Sequence, residues 1–172
     1  MQRVAILGRG AAGKTVLAHK LSSVLDLPVT ELDAIFWQPG PRPTPPQEWA
    51  EMQRELAGRD RWIIDGDLGP YDTGLDVRLR AADTVVVLDF SLWRCVWQAL
   101  RRSRETREFW AWVYRYRRNS LPSIMKVVGT HARHADVHIL RNPRQVRRFL
   151  DSVSSGLARS AGRCRRRSGR CR

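Results

Sequence analysis

The chain has 172 residues and a formal net charge of +14, from 31 Lys and Arg against 17 Asp and Glu. This length suits one α/β domain with a substantial core and is short for two full-sized domains. Its three cysteines, Cys95, Cys164 and Cys171, make no C-x-x-C pair and have no histidine at ligand spacing, which argues against a disulfide framework and against a zinc site.

The apolar run Val4-Ala5-Ile6-Leu7 predicts a strand over 3–7. It stops at Gly8-Arg9-Gly10, too early for a secretory h-region, and no later stretch has bilayer-spanning length, so a cytoplasmic protein without a membrane partner is expected. Gly8, Arg9, Gly10, Ala11, Ala12, Gly13, Lys14 and Thr15 then fit G-x-x-x-x-G-K-[ST]. A glycine-rich turn aims successive backbone N–H groups at a phosphate chain, and the helix that follows adds its positive N-terminal end. Lys14 would meet the β and γ phosphates of ATP, and the Thr15 hydroxyl would meet Mg²⁺. The same residues carry a rival pattern. Gly8, Gly10 and Gly13 also spell G-x-G-x-x-G, with Asp33 twenty residues beyond Gly13, where a dinucleotide fold places its ribose-binding acid. Lys14-Thr15 favours the phosphate loop, because a dinucleotide site has no γ-phosphate or magnesium for them to serve.

The pattern continues with a helix over 14–25, a strand over 28–32, and a loop through Pro39, Pro41, Pro43, Pro45 and Pro46. A helix over 47–57, a strand over 62–65, a loop over 66–74 and a short helix near 75–81 come next. The continuous apolar run Thr84-Val85-Val86-Val87-Leu88 reads as a central parallel strand. Helical patterns over 91–104 and 108–130, a strand over 137–140, and a helix from Pro143 complete the domain. Trp93 and Trp97, four apart, are expected to be buried together. Phe109, Trp112, Val113 and Tyr116 share one helix face, so core or lid packing with a basic outer face competes with stacking on nucleic-acid bases. His131, His134 and His138 show no ligand spacing.

Strands alternating with helices imply a parallel sheet covered on both faces, with ligands beyond the carboxyl ends of the strands. Asp33 ends the second strand and is a candidate to orient or deprotonate an acceptor hydroxyl. Asp65 ends the third and is a candidate to hold a magnesium-bound water. Turn or capping roles compete for both, and helix capping is the expectation for Asp89.

Taken with the loop, the segments Asp33-Ala34-Ile35-Phe36-Trp37, Trp62-Ile63-Ile64-Asp65-Gly66, Arg78 to Asp89 and Val137 to Leu150 give the chain a wider likeness. From about residue 2 to 152 it resembles the adenylate-kinase-related P-loop proteins often called DNA topology modulation proteins. The resemblance implies a three-layer nucleotide-kinase-like α/β fold with a five-stranded parallel sheet, ATP at the loop, and adenine-edge contacts at Arg141, Asn142 and Pro143. It departs from true adenylate kinases after Asp65-Gly66. There Asp67-Leu68-Gly69-Pro70 stands where those enzymes carry Phe-Pro-Arg, so their AMP-clamping arginine is missing.

The expected organisation is a kinase-like domain over 1–155, with an acceptor-side segment at 36–60 and a lid region at 101–120, and an Arg-rich disordered tail over 156–172. A mobile arginine commonly meets the charge developing in phosphoryl transfer and is worth ~10³ to 10⁵ in rate, which makes Arg101, Arg104 and Arg107 candidates. The tail holds seven arginines and no acid, half of the charge excess. A solvated extension and weak nucleic-acid contact both suit it. Three functions follow: an ATP-dependent kinase of a small acceptor, a nucleotide-regulated DNA-binding protein, and a dinucleotide-binding oxidoreductase.

Overall fold

In the computed structural model, which describes residues 1–40, 42–102 and 107–168, five parallel strands form one sheet. The elements are β1 (Arg3–Gly8), α1 (Lys14–Leu25), β2 (Val29–Glu31), α2 (Leu32–Phe36), β3 (Trp37–Gln38), β4 (Arg42–Pro43), α3 (Pro46–Gly58), β5 (Trp62–Asp65), a 3₁₀ turn at Gly69–Tyr71, α4 (Leu75–Ala81), β6 (Thr84–Leu88), α5 (Leu92–Arg102), α6 (Arg107–His131), β7 (Asp136–Leu140) and α7 (Pro143–Ser168). The sheet order is β2-β5-β1-β6-β7.

Side chains alternate across each strand, so the continuous apolar runs feed two cores at once. Ala5, Leu7, Trp62, Ile64, Val85 and Val87 point to one face and pack with Trp49 and Leu56 of α3, Leu75 and Leu79 of α4, and Ile124 and Val128 of α6. Val4, Ile6, Ile63, Val86 and Leu88 point to the other and pack with Leu17 and Leu21 of α1, Cys95 of α5 and Phe149 of α7. Two helical layers therefore sandwich the sheet, as its composition requires.

The sheet order also removes the dinucleotide reading. In a dinucleotide fold the second strand lies beside the first, whereas here β5 is inserted between β1 and β2, in register from Arg3 with Trp62 to Ile6 with Asp65.

Three sequence expectations change. Asp33 lies not on β2, which ends at Glu31, but in the first turn of α2. The proline-rich stretch contains a two-stranded antiparallel ribbon, β3 with β4, that pairs Trp37 with Pro43; Pro41 lies outside the described residues. Trp93 and Trp97 are not buried together, being 81% and 53% exposed, because α5 packs inward through Cys95 and Ala99 and turns both indoles to solvent. Val113 and Tyr116 are buried and Trp112 is partly buried against both cores, as the helix-face reading requires.

Candidate functional site

Residues 8–15 leave β1 at the centre of the sheet and run into α1. Gly8 has φ +145°, and a Cβ there would stand 2.6 Å from the Leu88 carbonyl oxygen of β6, so only glycine lets the loop pass. Gly13 caps α1 in the left-handed region at φ +87°. Ala11 also has positive φ, 57°, a strained conformation of the kind that collects at ligand-binding loops. The Ala12 N–H donates to the Arg9 carbonyl at 3.1 Å and closes the turn. Lys14 folds back over the loop, its Nζ donating to the Gly8 carbonyl at 3.0 Å and the Arg9 carbonyl at 3.4 Å.

The insertion of β5 beside β1 brings Asp65 to the loop. The Thr15 hydroxyl donates to Asp65 Oδ2 at 2.6 Å, while Asp65 Oδ1 is buried without a hydrogen-bond partner. An orphaned carboxylate oxygen beside a serviceable hydroxyl is a hard-oxygen pair of the kind Mg²⁺ takes, so these residues fit a magnesium site.

Asp33, Asp65 and Asp67 all lie within electrostatic reach of Lys14. Loss of hydration raises the pKa of all three carboxyls, of which Asp65 and Asp67 are buried and Asp33 is exposed at the surface, and the Lys14 charge opposes the rise in each. Sequence reasoning passed over Asp67, which looks like turn chemistry between two glycines. In the structure it is buried and accepts the Gly69 N–H at 2.9 Å and the Tyr116 hydroxyl at 3.1 Å. Burial, with Asp67 alongside, pushes the Tyr116 pKa far up, so this phenol remains a donor. Arg9 is also buried, donates to the Phe90 carbonyl at 3.3 Å, and lies 5.6 Å from the centre of the Tyr116 ring.

On the other side of the loop a cavity of about 380 Å³ is lined by Ala12, Gly13, Trp97, Arg101, Pro143 and Val146, among others. Arg101 stacks on the Trp97 indole at 4.0 Å, which places it in this cleft beside Pro143. Arg104 lies outside the described residues, as does the side chain of Arg107. The Asn142 side chain is engaged as a helix cap, accepting the Gln145 N–H at 3.0 Å, while Gln145 Oε1 accepts the Arg141 N–H. Arg141 reaches Asp89 at 3.7 Å, and Arg117 of α6 donates to the same Asp89 oxygen at 3.0 Å. Asp89 Oδ2 therefore faces arginines from two elements, where the sequence suggested a cap.

The sheet order, the loop and the flanking helical layers define the fold of P-loop kinases. Solved structures with this fold include shikimate kinase from Acinetobacter baumannii in complex with shikimate, with TM-score 0.65 and 14% identity over 93% of this chain and 94% of that one. Shikimate kinase from Bacteroides thetaiotaomicron follows at 0.58 and 14%, over 91% and 98%. A gluconokinase from Sinorhizobium meliloti superposes at 0.53 and 15%, over 97% of each chain. A scan against protein-family models and a search of curated proteins find no match to this chain. Among the described residues, no helix is long and apolar enough to cross a membrane.

Proposed function

We propose that this protein is an ATP-dependent kinase that transfers the γ-phosphoryl group to a hydroxyl of a small acceptor. The observation that carries this reading is the Thr15–Asp65 hydrogen bond beside Lys14 at the mouth of the loop, which sets a metal-binding pair and a cation where a triphosphate would end. The backbone N–H groups of residues 8–15 cradle the phosphates, and Lys14 exchanges the Gly8 and Arg9 carbonyls for phosphate oxygens. Thr15 and, through water, Asp65 would hold Mg²⁺, which would supply charge neutralisation of the phosphates when bound. Asp33, in the first turn of α2, takes the proton of the acceptor hydroxyl. The adenine would lie in the cleft between Arg101 and Pro143, which Arg141 and Asn142 immediately precede in the chain. Catalysis of this kind is positioning and electrostatics, with no covalent intermediate. The resemblance to adenylate-kinase-related P-loop proteins agrees with the nucleotide and is silent on the acceptor.

The test is acceptor-dependent ADP release from Mg-ATP, with Lys14→Ala as control. ATP affinity and turnover both unchanged in that variant would refute the site.

A second reading, a nucleotide-regulated nucleic-acid-binding protein, is favoured by the exposure of Trp93, Trp97 and Tyr114 on arginine-bearing helices. Exposed aromatics beside arginines suit single-stranded nucleic acid. Tight ATP binding with no acceptor-stimulated turnover, together with salt-sensitive DNA binding that responds to ATP, would favour it over the kinase.

A further inference from the structure

A cavity of about 780 Å³, within the usual size range of small-molecule sites, opens between the loop that follows β5 and helix α6. Asp67 lines one end of it, two residues beyond the Asp65 that bonds Thr15. Asp67 also accepts the Tyr116 hydroxyl, and the Tyr116 ring lies 5.6 Å from the guanidinium of the loop residue Arg9, so this end is the one next to the phosphate loop.

The charges in the wall limit what fits. Arg78 is completely buried, and both its terminal nitrogens are taken by Asp72, at 2.8 and 2.6 Å, leaving neither for a ligand. Asp76 is paired with Arg80 at 3.5 Å. Arg115 and His131 are the basic side chains of the lining, set against Asp67 and Asp76. A phosphate monoester carries nearly two negative charges at neutral pH. It would meet one arginine set against Asp67, with Asp72 and Asp76 each already engaged by an arginine of α4, so no excess of positive charge offsets the water it gives up. The rest of the wall is suited to hydroxyl groups. Thr73, Asn119 and Ser120 both donate and accept, Ser123, whose hydroxyl donates to the Asn119 carbonyl at 3.1 Å, can accept, and the Trp112 indole with Ile124 offers an apolar floor for C–H groups.

Resting on the kinase reading above, we propose that the phosphoryl acceptor is a neutral polyhydroxylated molecule of monosaccharide size, bound in this cavity with its reactive hydroxyl at the Asp67 end. The hydroxyl oxygen bonds to the γ-phosphorus, the bond from that phosphorus to the β,γ-bridging oxygen breaks, and ADP leaves. The hydroxyl proton passes to Asp33, the base assigned in the kinase reading above.

The experiment gives the full chain Mg-ATP with four acceptor pools: neutral monosaccharides and cyclitols, sugar phosphates, nucleoside monophosphates, and hydroxy acids. ADP release is read beside calorimetric acceptor binding. Turnover is expected with the neutral pool alone. Asn119→Ala, at an exposed position of α6, is expected to raise the acceptor KM about tenfold with kcat and the ATP KM unchanged. Lys14→Ala is expected to remove turnover and leave calorimetric acceptor binding intact. Turnover with a phosphorylated or carboxylated pool but not with the neutral one overturns the acceptor class and leaves the kinase standing. An unchanged KM in Asn119→Ala overturns the placement in this cavity. Binding of a neutral polyol without turnover supports the ligand class and overturns the kinase, and neither binding nor turnover overturns the proposal.

Discussion

Gly8 shows how much of the site rests on single backbone positions. Its φ of +145° and the 2.6 Å approach of a would-be Cβ to the Leu88 carbonyl leave no room for adjustment, since Leu88 is itself fixed in β6. Gly8→Ala is expected to cost at least roughly 1–3 kcal/mol, seen as a lower denaturation midpoint in urea with an unchanged slope. Thr15 and Asp65 make the second prediction at this scale. Thr15→Val and Asp65→Asn each remove one member of the metal-binding pair, and each is expected to raise the Mg²⁺ concentration for half-maximal ADP release by about 10–100-fold. Thr15 was legible from its place in the motif. Asp67 was not, because an aspartate between glycines is ordinary turn chemistry; its role depends on Tyr116, 49 residues away, donating to it across the fold.

Two devices hold the elements in place around this loop. The fully buried Arg78–Asp72 pair ties α4 to the turn ahead of it. Removing one partner strands the other charge, so Arg78→Ala is expected to lose about 3–5 kcal/mol, and replacing both by apolar residues of similar volume is expected to lose less. The measurement is equilibrium denaturation of the single and double variants. At the opposite end of the sheet, Asp83 accepts the Gln2 and Arg3 N–H groups and the Thr84 hydroxyl, joining β1 to β6. Burial works against its charge, but these hydrogen bonds and the N-terminal ammonium outweigh it and lower its pKa below the ordinary 3.8. A lowered folded-state pKa means that the stabilisation is complete above 3.8 and fades as pH falls through the folded value. The stability gap between the wild-type chain and Asp83→Asn is therefore expected to shrink below about pH 4 in acid titrations of unfolding. The limits of pattern reading also appear at this scale. Trp93 and Trp97 occupy neighbouring turns of a helix, and their spacing says that they share a face, while only the packing of Cys95 and Ala99 decides that this face looks outward.

For the molecule as a whole, the excess of positive charge is unevenly placed along the chain. Residues 160–172 hold six arginines and no acid, so a chain ending at Arg159 falls from +14 to +8. The apolar packing of α7 on the core is made by Val146, Phe149, Leu150 and Val153, all retained by that truncation. It is expected to melt within a few degrees of the full chain. Its single-stranded DNA affinity should fall, and the slope of log affinity against log salt should become shallower by about 0.7 for each phosphate that the shortened chain no longer neutralises. A slope unchanged by the truncation would assign nucleic-acid attraction to the folded domain.

The phosphate loop, the two-faced strands and the order of the elements could be read directly from residues 1–150, because each is set by interactions between near neighbours: turn geometry, helix periodicity and side-chain alternation. Which strand lies beside β1 is a different kind of property. Both glycine patterns and the spacing to Asp33 suited a phosphate loop and a dinucleotide fold alike; Lys14-Thr15 already favoured the loop, and β5 pairing with β1 across more than fifty residues of chain excludes the alternative. That pairing puts Asp65 on the Thr15 hydroxyl and leaves Asp33 to a helix one strand further out. It also places the Asp67 loop against α6, where the larger cavity forms. Such arrangements depend on non-local packing, in which two cores must be filled at once from one sheet, and no window of sequence contains both partners.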